Sequence, residues 1–285
     1  GIPAAPVPRG FVFHTGAVGG RGARLALFAP CLRAYAGAEM AQKRKTPRKS
    51  TPRRTAGATA LGLRQRLVRL FGWALAGFAG LACLWVLAYA LIAPPTTPYI
   101  MAEERRLGRD VAHVWVDADQ IAPVMLRAVV AAEDANFCGH WGFDMAAIRA
   151  ALEAGAQRGA STISQQVVKN AYLWHGRDWL RKALEAVLTP MVELVWSKRR
   201  ILEVYLNIAE FDEGVFGVQA AAQHYFGTTA QALSATQAAR LAAILPDPKG
   251  RSAAKPSAFV SRRATAILDG AETIRRDGRA ACFQP

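Results

Sequence analysis

Pro123-Val-Met-Leu-Arg-Ala-Val-Val-Ala-Ala-Glu133-Asp134-Ala-Asn-Phe137-Cys138-Gly-His140-Trp141-Gly142 decides how this chain is read. Proline suits the first turn of a helix, and the apolar positions from Val124 to Ala132 recur at helical spacing. Two carboxylates close that helix. A carboxylate at the end of a buried apolar helix is partly desolvated, which lifts its pKa toward that of a useful base. Acidic pairs also cap helices in many proteins, so the neighbours must carry the argument. Phe137, His140, Trp141 and Phe143 supply aromatic walls and one polar ring. For His140 alone we read structural hydrogen bonding rather than proton transfer.

Downstream, Gly159-Ala-Ser161-Thr162-Ile-Ser-Gln165-Gln166-Val-Val-Lys169-Asn170 gives a glycine start, hydroxyls, amides and one lysine. This is a polar groove for sugar hydroxyls and phosphate, although Ser161 and Thr162 also suit helix caps. One amide of the Gln165-Gln166 doublet is expected in the groove and the other against core or backbone. Arg177, Arg181-Lys182 and Glu185 follow. Arg181 and Glu185 at i,i+4 alone would be a plain surface pair. With Lys169, four cations fall within 14 residues, the usual way to hold a diphosphate. Two carboxylates, Glu133 and Glu185, thus flank a cationic stretch.

The remaining chain places that chemistry. The net charge of +15 is uneven: fourteen Lys/Arg against the single acid Glu39 precede residue 70, leaving +2 for the rest. Leu70 to Ala93 runs 24 residues without a charge, enough to cross a bilayer. A buried core helix and a cleaved signal peptide, with Ala88-Tyr89-Ala90 as its small-x-small site, are the alternatives. We favour an uncleaved anchor. Arg64, Arg66 and Arg69 on its N-terminal flank put the N-terminus in the cytoplasm. The expected plan is therefore a disordered basic tail over 1–69, a membrane helix over 70–93, a connector over 94–122 and a catalytic region over 123–285. Residues 1–39 read as an upstream extension before a natural start at Met40. The Lys/Arg-rich stretch 42–54 acts as a topology signal or attracts anionic lipid; nucleic acid is not expected as a partner.

The fold class is mainly α. Helices are expected over 123–133, 145–156, 163–170, 179–196, 198–209, 215–225, 234–245 and 256–275, with one short strand at 112–116. Pro190 should kink the helix carrying Glu185 and Glu193. Cys83 lies in the span and the cysteine spacing excludes a zinc motif. Cys138 and Cys282 would share an oxidising compartment, where they either pair or stay as two free thiols.

Five motifs in order then resemble the peptidoglycan glycosyltransferases, glycosyltransferase family 51. They are Glu133-Asp-x-x-Phe-x-x-His-x-Gly142, Gly159-x-Ser-Thr-Ile-x-Gln-Gln-x-x-Lys-Asn170, Arg181-Lys-x-x-Glu185, Lys198-x-x-Ile-Leu-Glu-x-Tyr-Leu-Asn207 and Gly217-x-x-x-Ala-Ala-x-x-Tyr-Phe226. Trp196 to Arg200 and Asn207 to Phe211 are similar to the monofunctional biosynthetic subgroup. The resemblance implies a lysozyme-like α fold with a smaller membrane-facing lobe. It implies polymerisation of lipid II into β-1,4 glycan with release of undecaprenyl diphosphate. Glu133 falls on the general base and Glu185 on the second glutamate, assigned to the diphosphate side and a divalent ion, Mg or Mn. Lys169, Arg177, Arg181 and Lys182 fall on donor positions; Asp134, His140, Ser161, Thr162, Gln165, Gln166 and Asn170 are expected to contact substrate. Expected partners are lipid II, the lipid-linked glycan, the bacterial inner membrane, and cell-division or penicillin-binding proteins. Ser252-Ala-Ala-Lys255 reads as a chance Ser-x-x-Lys, and no transpeptidase region is expected. A glycan-cleaving enzyme has no use for a diphosphate clamp, and a scaffold no use for both glutamates.

Overall fold

The computed structural model describes residues 57–155, 161–176 and 178–284. The proposed start at Met40, the basic stretch 42–54 and Arg177 lie outside these residues. Ten α-helices dominate what is described. They are α1 (Gly57–Leu91), α2 (Pro98–Leu107), α3 (Pro123–Glu133), α4 (Met145–Glu153), α5 (Ile163–Tyr172), α6 (Trp179–Val195), α7 (Lys198–Ile208), α8 (Val218–Phe226), α9 (Ala235–Ile244) and α10 (Ala258–Arg276). Three strands of two or three residues, β1 (Ala112–His113), β2 (Glu210–Asp212) and β3 (Val215–Phe216), form one sheet in the order β1-β3-β2. β1 runs parallel to β3 and β2 antiparallel to it.

Helix ends follow local chemistry. Thr97, Thr162, Asp178, Ser197, Ser234 and Ser257 each accept a backbone N–H of the first turn that no carbonyl can reach. The core joins α3, α9 and α10 on one side and packs α5 between α6 and α7 on the other. Tyr205, Phe137, Phe211, Phe216 and Phe283 are its largest fully buried side chains. Asn207, also fully buried, donates to Val116 O at 2.8 Å and accepts from Val116 N at 2.9 Å, tying α7 to the segment after β1. Gly217 lies at φ +83°, and a Cβ there would sit 2.8 Å from the Asn207 carbonyl oxygen. Only glycine permits that approach.

Three expectations are corrected. α1 begins at Gly57, so 57–69 is helical rather than part of a disordered tail. The connector contains α2, capped by Thr97 and closed by Gly108 in the left-handed conformation. Residues Val215–Phe216 pair as β3, so the helix expected over 215–225 starts at Val218. α6 continues through Pro190 as one helix, with the Thr189 hydroxyl donating to Glu185 O at 2.7 Å.

Gly62–Leu91 is long and apolar enough to cross a membrane. The domain leaves it bare: Leu70, Phe71, Trp73, Phe78 and Leu84 are exposed, unlike a core helix. Its C-terminal end is docked. Trp196 Nε1 donates to Val86 O at 2.9 Å, and Arg200 donates to the carbonyls of Tyr89 (3.0 Å) and Ile92 (2.8 Å). Tyr89 and Ile92 lie where intrahelical donors run out, and Val86 sits one turn earlier. Tyr89 stacks on Tyr172 at 5.5 Å.

Cys138 and Cys282 are disulfide-bonded, with Cα atoms 5.7 Å apart across 144 residues of sequence. The bridge holds the tail after α10 against the segment that follows Glu133. Arg279 reinforces it by donating to Ala135 O at 2.9 Å. Closing so long a loop restricts the unfolded chain. Replacing both cysteines by serine should lower unfolding free energy by about 2–5 kcal/mol. Calorimetry on the native and double-serine chains checks this; equal melting temperatures would refute it.

Candidate active site

α5 organises the site because it carries successive amides toward two carboxylates on different helices. Gln166 Nε2 donates to Glu133 Oε2 at 2.9 Å, at the end of α3. Gln165 Nε2 reaches Glu185 Oε1 of α6 at 3.4 Å. Tyr205 of α7 donates to Gln166 Oε1 at 3.3 Å, which fixes the way that amide faces. Gln165 also closes a capping box with Thr162, so it braces its own helix while pointing to Glu185.

Burial raises the Glu133 pKa; the hydrogen bond from Gln166 and the charges of Arg263 and Lys169 pull the other way. Arg263 of α10 places Nη2 3.9 Å from Glu133 Oε1. Glu185 is held differently. Its side chain is 3% exposed and bridges Arg181 Nη1 at 2.8 Å on one oxygen and Lys182 Nζ on the other. Lys169 lies within electrostatic reach of both glutamates. Its own pKa is lowered by burial first, with Glu185 and Glu133 opposing the shift and Arg181 and Lys182 adding to it.

A cleft of about 670 Å³ collects seven of the residues singled out in the sequence: Ser161, Gln165, Gln166, Lys169, Arg181, Lys182 and Glu185. Glu133 meets it through Gln166 rather than lining it. Asn170 lines an adjoining recess. Asp134, His140 and Thr162 stand behind the cleft. Asp134 accepts from Ile163 N at 3.0 Å, capping α5, and from His140 Nε2 at 2.8 Å. Thr162 donates to Gly142 O at 2.6 Å. Gly142 lies at φ +83°, and a Cβ there would come within 2.5 Å of Thr189 Cγ2. These three side chains set the angle between α3 and α5. Glu193 is likewise buried, accepting from Ser164 and pairing with Lys198 Nζ at 2.8 Å. Lys198 in turn donates to His140 O at 2.8 Å.

Two contributors escaped the sequence reading. Arg263 lies 130 positions after Glu133 and no local pattern marks it. Tyr205 sits inside the fourth motif, so its residue type was visible but not its reach to Gln166.

A family profile described as Transglycosylase matches residues 101–272. The chain belongs to the transglycosylase family. A protein of Jannaschia sp. (strain CCS1) named "Biosynthetic peptidoglycan transglycosylase" is 61% identical over 214 residues, 74% of this chain and 89% of that one. Proteins of the same name from Pseudomonas syringae pv. syringae (strain B728a) and Yersinia pseudotuberculosis serotype O:3 (strain YPIII) are 50% and 47% identical. They align over 70% and 73% of this chain and over 89% and 92% of their own lengths. Within this transglycosylase, Gln166 of α5 holds a desolvated carboxylate beside a cleft lined by three cations, Lys169, Arg181 and Lys182. That arrangement can remove a proton from one substrate and hold an anionic leaving group on another.

Proposed function

We propose that this chain is a peptidoglycan glycosyltransferase that polymerises lipid II. The observation that carries the reading is α5 joining Glu133 to the cation-paired Glu185. Glu133 accepts the proton of the acceptor 4-hydroxyl. The hydroxyl oxygen attacks the anomeric carbon of the lipid-linked donor, and the bond from that carbon to the diphosphate oxygen breaks. Attack opposite the leaving group inverts the centre and gives a β-1,4 link. Undecaprenyl diphosphate departs, its charge held by Lys169, Arg181 and Lys182. Glu185 keeps Arg181 and Lys182 in place. Incubating detergent-solubilised protein with lipid II tests this: polymer is expected, and its absence, or cleavage of preformed glycan instead, would overturn it.

The residues do not fit a resident divalent ion. Glu185 already spends both oxygens on ion pairs, and among the described residues no three His, Cys, Asp or Glu side chains gather as metal ligands. With Lys169, Arg181 and Lys182 holding the diphosphate, polymer should still form when EDTA replaces Mg²⁺. Loss of all polymer on chelation would show that the cations alone are insufficient.

α1 serves as the single anchor in the inner membrane, N-terminus cytoplasmic and catalytic region periplasmic. Arg64, Arg66 and Arg69 favour that orientation, and so does a disulfide, which persists in oxidising compartments. Protease added outside spheroplasts should digest the region 124–268 and spare 43–54. The reverse protection pattern would invert the topology.

A further inference from the structure

A recess of about 200 Å³ adjoins the cleft and shares Gln166, Lys169, His175 and Pro246 with it. Tyr99, Asn170, Tyr205 and Glu210 complete its polar wall. Tyr99, His175 and Pro246 belong to no motif. Tyr99, just before the span matched by the family profile, stacks on His175 with ring centroids 3.6 Å apart and planes 23° apart. The Tyr99 hydroxyl donates to Glu210, and Phe216 packs edge-on to the same ring at 5.2 Å. The Tyr99 ring is thus fixed from two sides and presents His175 to the recess.

The recess is polar with balanced charge: Lys169 stands against Glu210, which Lys249 also pairs at 3.3 Å. Asn170 is 6% exposed, yet its Oδ1 has no hydrogen-bond partner. Buried amides are seldom left so, and an amide complements another amide because each offers donors and an acceptor. The Glu210 carboxylate in the wall disfavours a phosphate there, whereas Arg181 and Lys182 favour one in the main cleft. Leu245, Pro246 and Ala209 add an apolar side. The volume is below the 300–1,000 Å³ or so of a whole-ligand pocket, so a substituent fits rather than a ring. The recess meets the cleft at Gln166, which holds the base, and at Lys169, one of the leaving-group cations. On the polymerase reading, the sugar attacked at its anomeric carbon would lie between these two residues.

We propose that this recess receives the acetamido group at C2 of the diphosphate-linked donor sugar, and that Tyr99 and His175 form its specificity wall. The inference rests on the polymerase reading above. The amide pairs with Asn170, Lys169 lies beside the carbonyl, and the methyl meets Pro246.

The test compares kcat/KM on lipid II with that on an analogue bearing a C2 hydroxyl on the diphosphate-linked sugar. The native chain should prefer lipid II at least about tenfold, in line with the rejection of ligands that leave a buried polar group unpaired. In His175→Ala and in Asn170→Ala that ratio should fall toward one, chiefly through KM. His175 is exposed, so its variant is not at risk of misfolding, and thermal unfolding of both variants checks this. A purely structural role would lower both substrates together and leave the ratio intact, which would overturn the proposal. So would a native chain that does not discriminate. No polymer from native protein and lipid II would overturn the polymerase reading and this inference with it.

Discussion

Glu133→Gln gives a folded protein whose glycan synthesis falls by about 10²–10⁴-fold, the usual consequence of losing a general base. The substitution keeps the shape of the side chain and a partner for Gln166, so the packing around α3 survives. The pKa of Glu133 is raised by burial, and this fixes two signs. Below that raised value the carboxyl is protonated and cannot accept the hydroxyl proton. kcat/KM therefore rises with pH along an acid limb above the ordinary value of 4.5. For stability, the folded state holds the proton more tightly than the unfolded state. Stability at this group is full below 4.5 and is lost as pH rises through the folded pKa. Glutamine escapes that loss, so the variant should melt no lower than the native chain at pH 7. Near-native synthesis by folded Glu133→Gln protein would remove the base assignment.

Lys169→Ala should reduce kcat/KM on lipid II by about 10–150-fold, equivalent to about 1.5–3 kcal/mol for a charge-assisted contact. Its stability should change little. Burial lowers the pKa of this lysine, so folding works against its charge and deleting it relieves that strain. Arg181→Ala should behave differently. It leaves Glu185, 2% exposed, with Lys182 as its remaining cation. Breaking a buried pair from one side is strongly destabilising, so melting temperature and substrate use should fall together. Steady-state kinetics alongside thermal unfolding separates the two cases. A Lys169→Ala chain that melts much lower yet retains native kcat/KM would make this lysine structural.

What could be read from the sequence was whatever depends on near neighbours. α3 announces itself through Pro123 and its apolar spacing, and α1 through its length. The caps Ser197, Ser234 and Ser257 mark helix starts. α2 was hidden because Glu103-Glu104-Arg105-Arg106 reads as a polar connector. Its burial comes from far away: Tyr99 bonds Glu210, 111 positions on, and Lys249 reaches Glu103 at 3.0 Å. β2 and β3 are too short for an alternating pattern and exist because β3 finds partners on both sides, β1 and β2. In the site, residue types were legible and relations were not. Asp134, His140 and Thr162 looked like substrate contacts because they lie within motifs. Their hydrogen bonds face inward, toward α5 and Gly142. Arg263 reaches Glu133 only because α10 packs across α3.

The clamp of Trp196 and Arg200 on carbonyls of Val86, Tyr89 and Ile92, in and just after the last turns of α1, makes anchor and domain a single lever. Arg200 and Tyr205 belong to one helix, and Tyr205 holds the amide that steadies Glu133. With α1 in a bilayer, the height of the reaction centre above the lipid is set by one run of backbone. A substrate that is itself lipid-tethered then meets the enzyme by lateral diffusion in two dimensions. Turnover will track the number of substrate molecules per unit of membrane area, and diluting them with inert lipid will slow the enzyme even at constant bulk concentration.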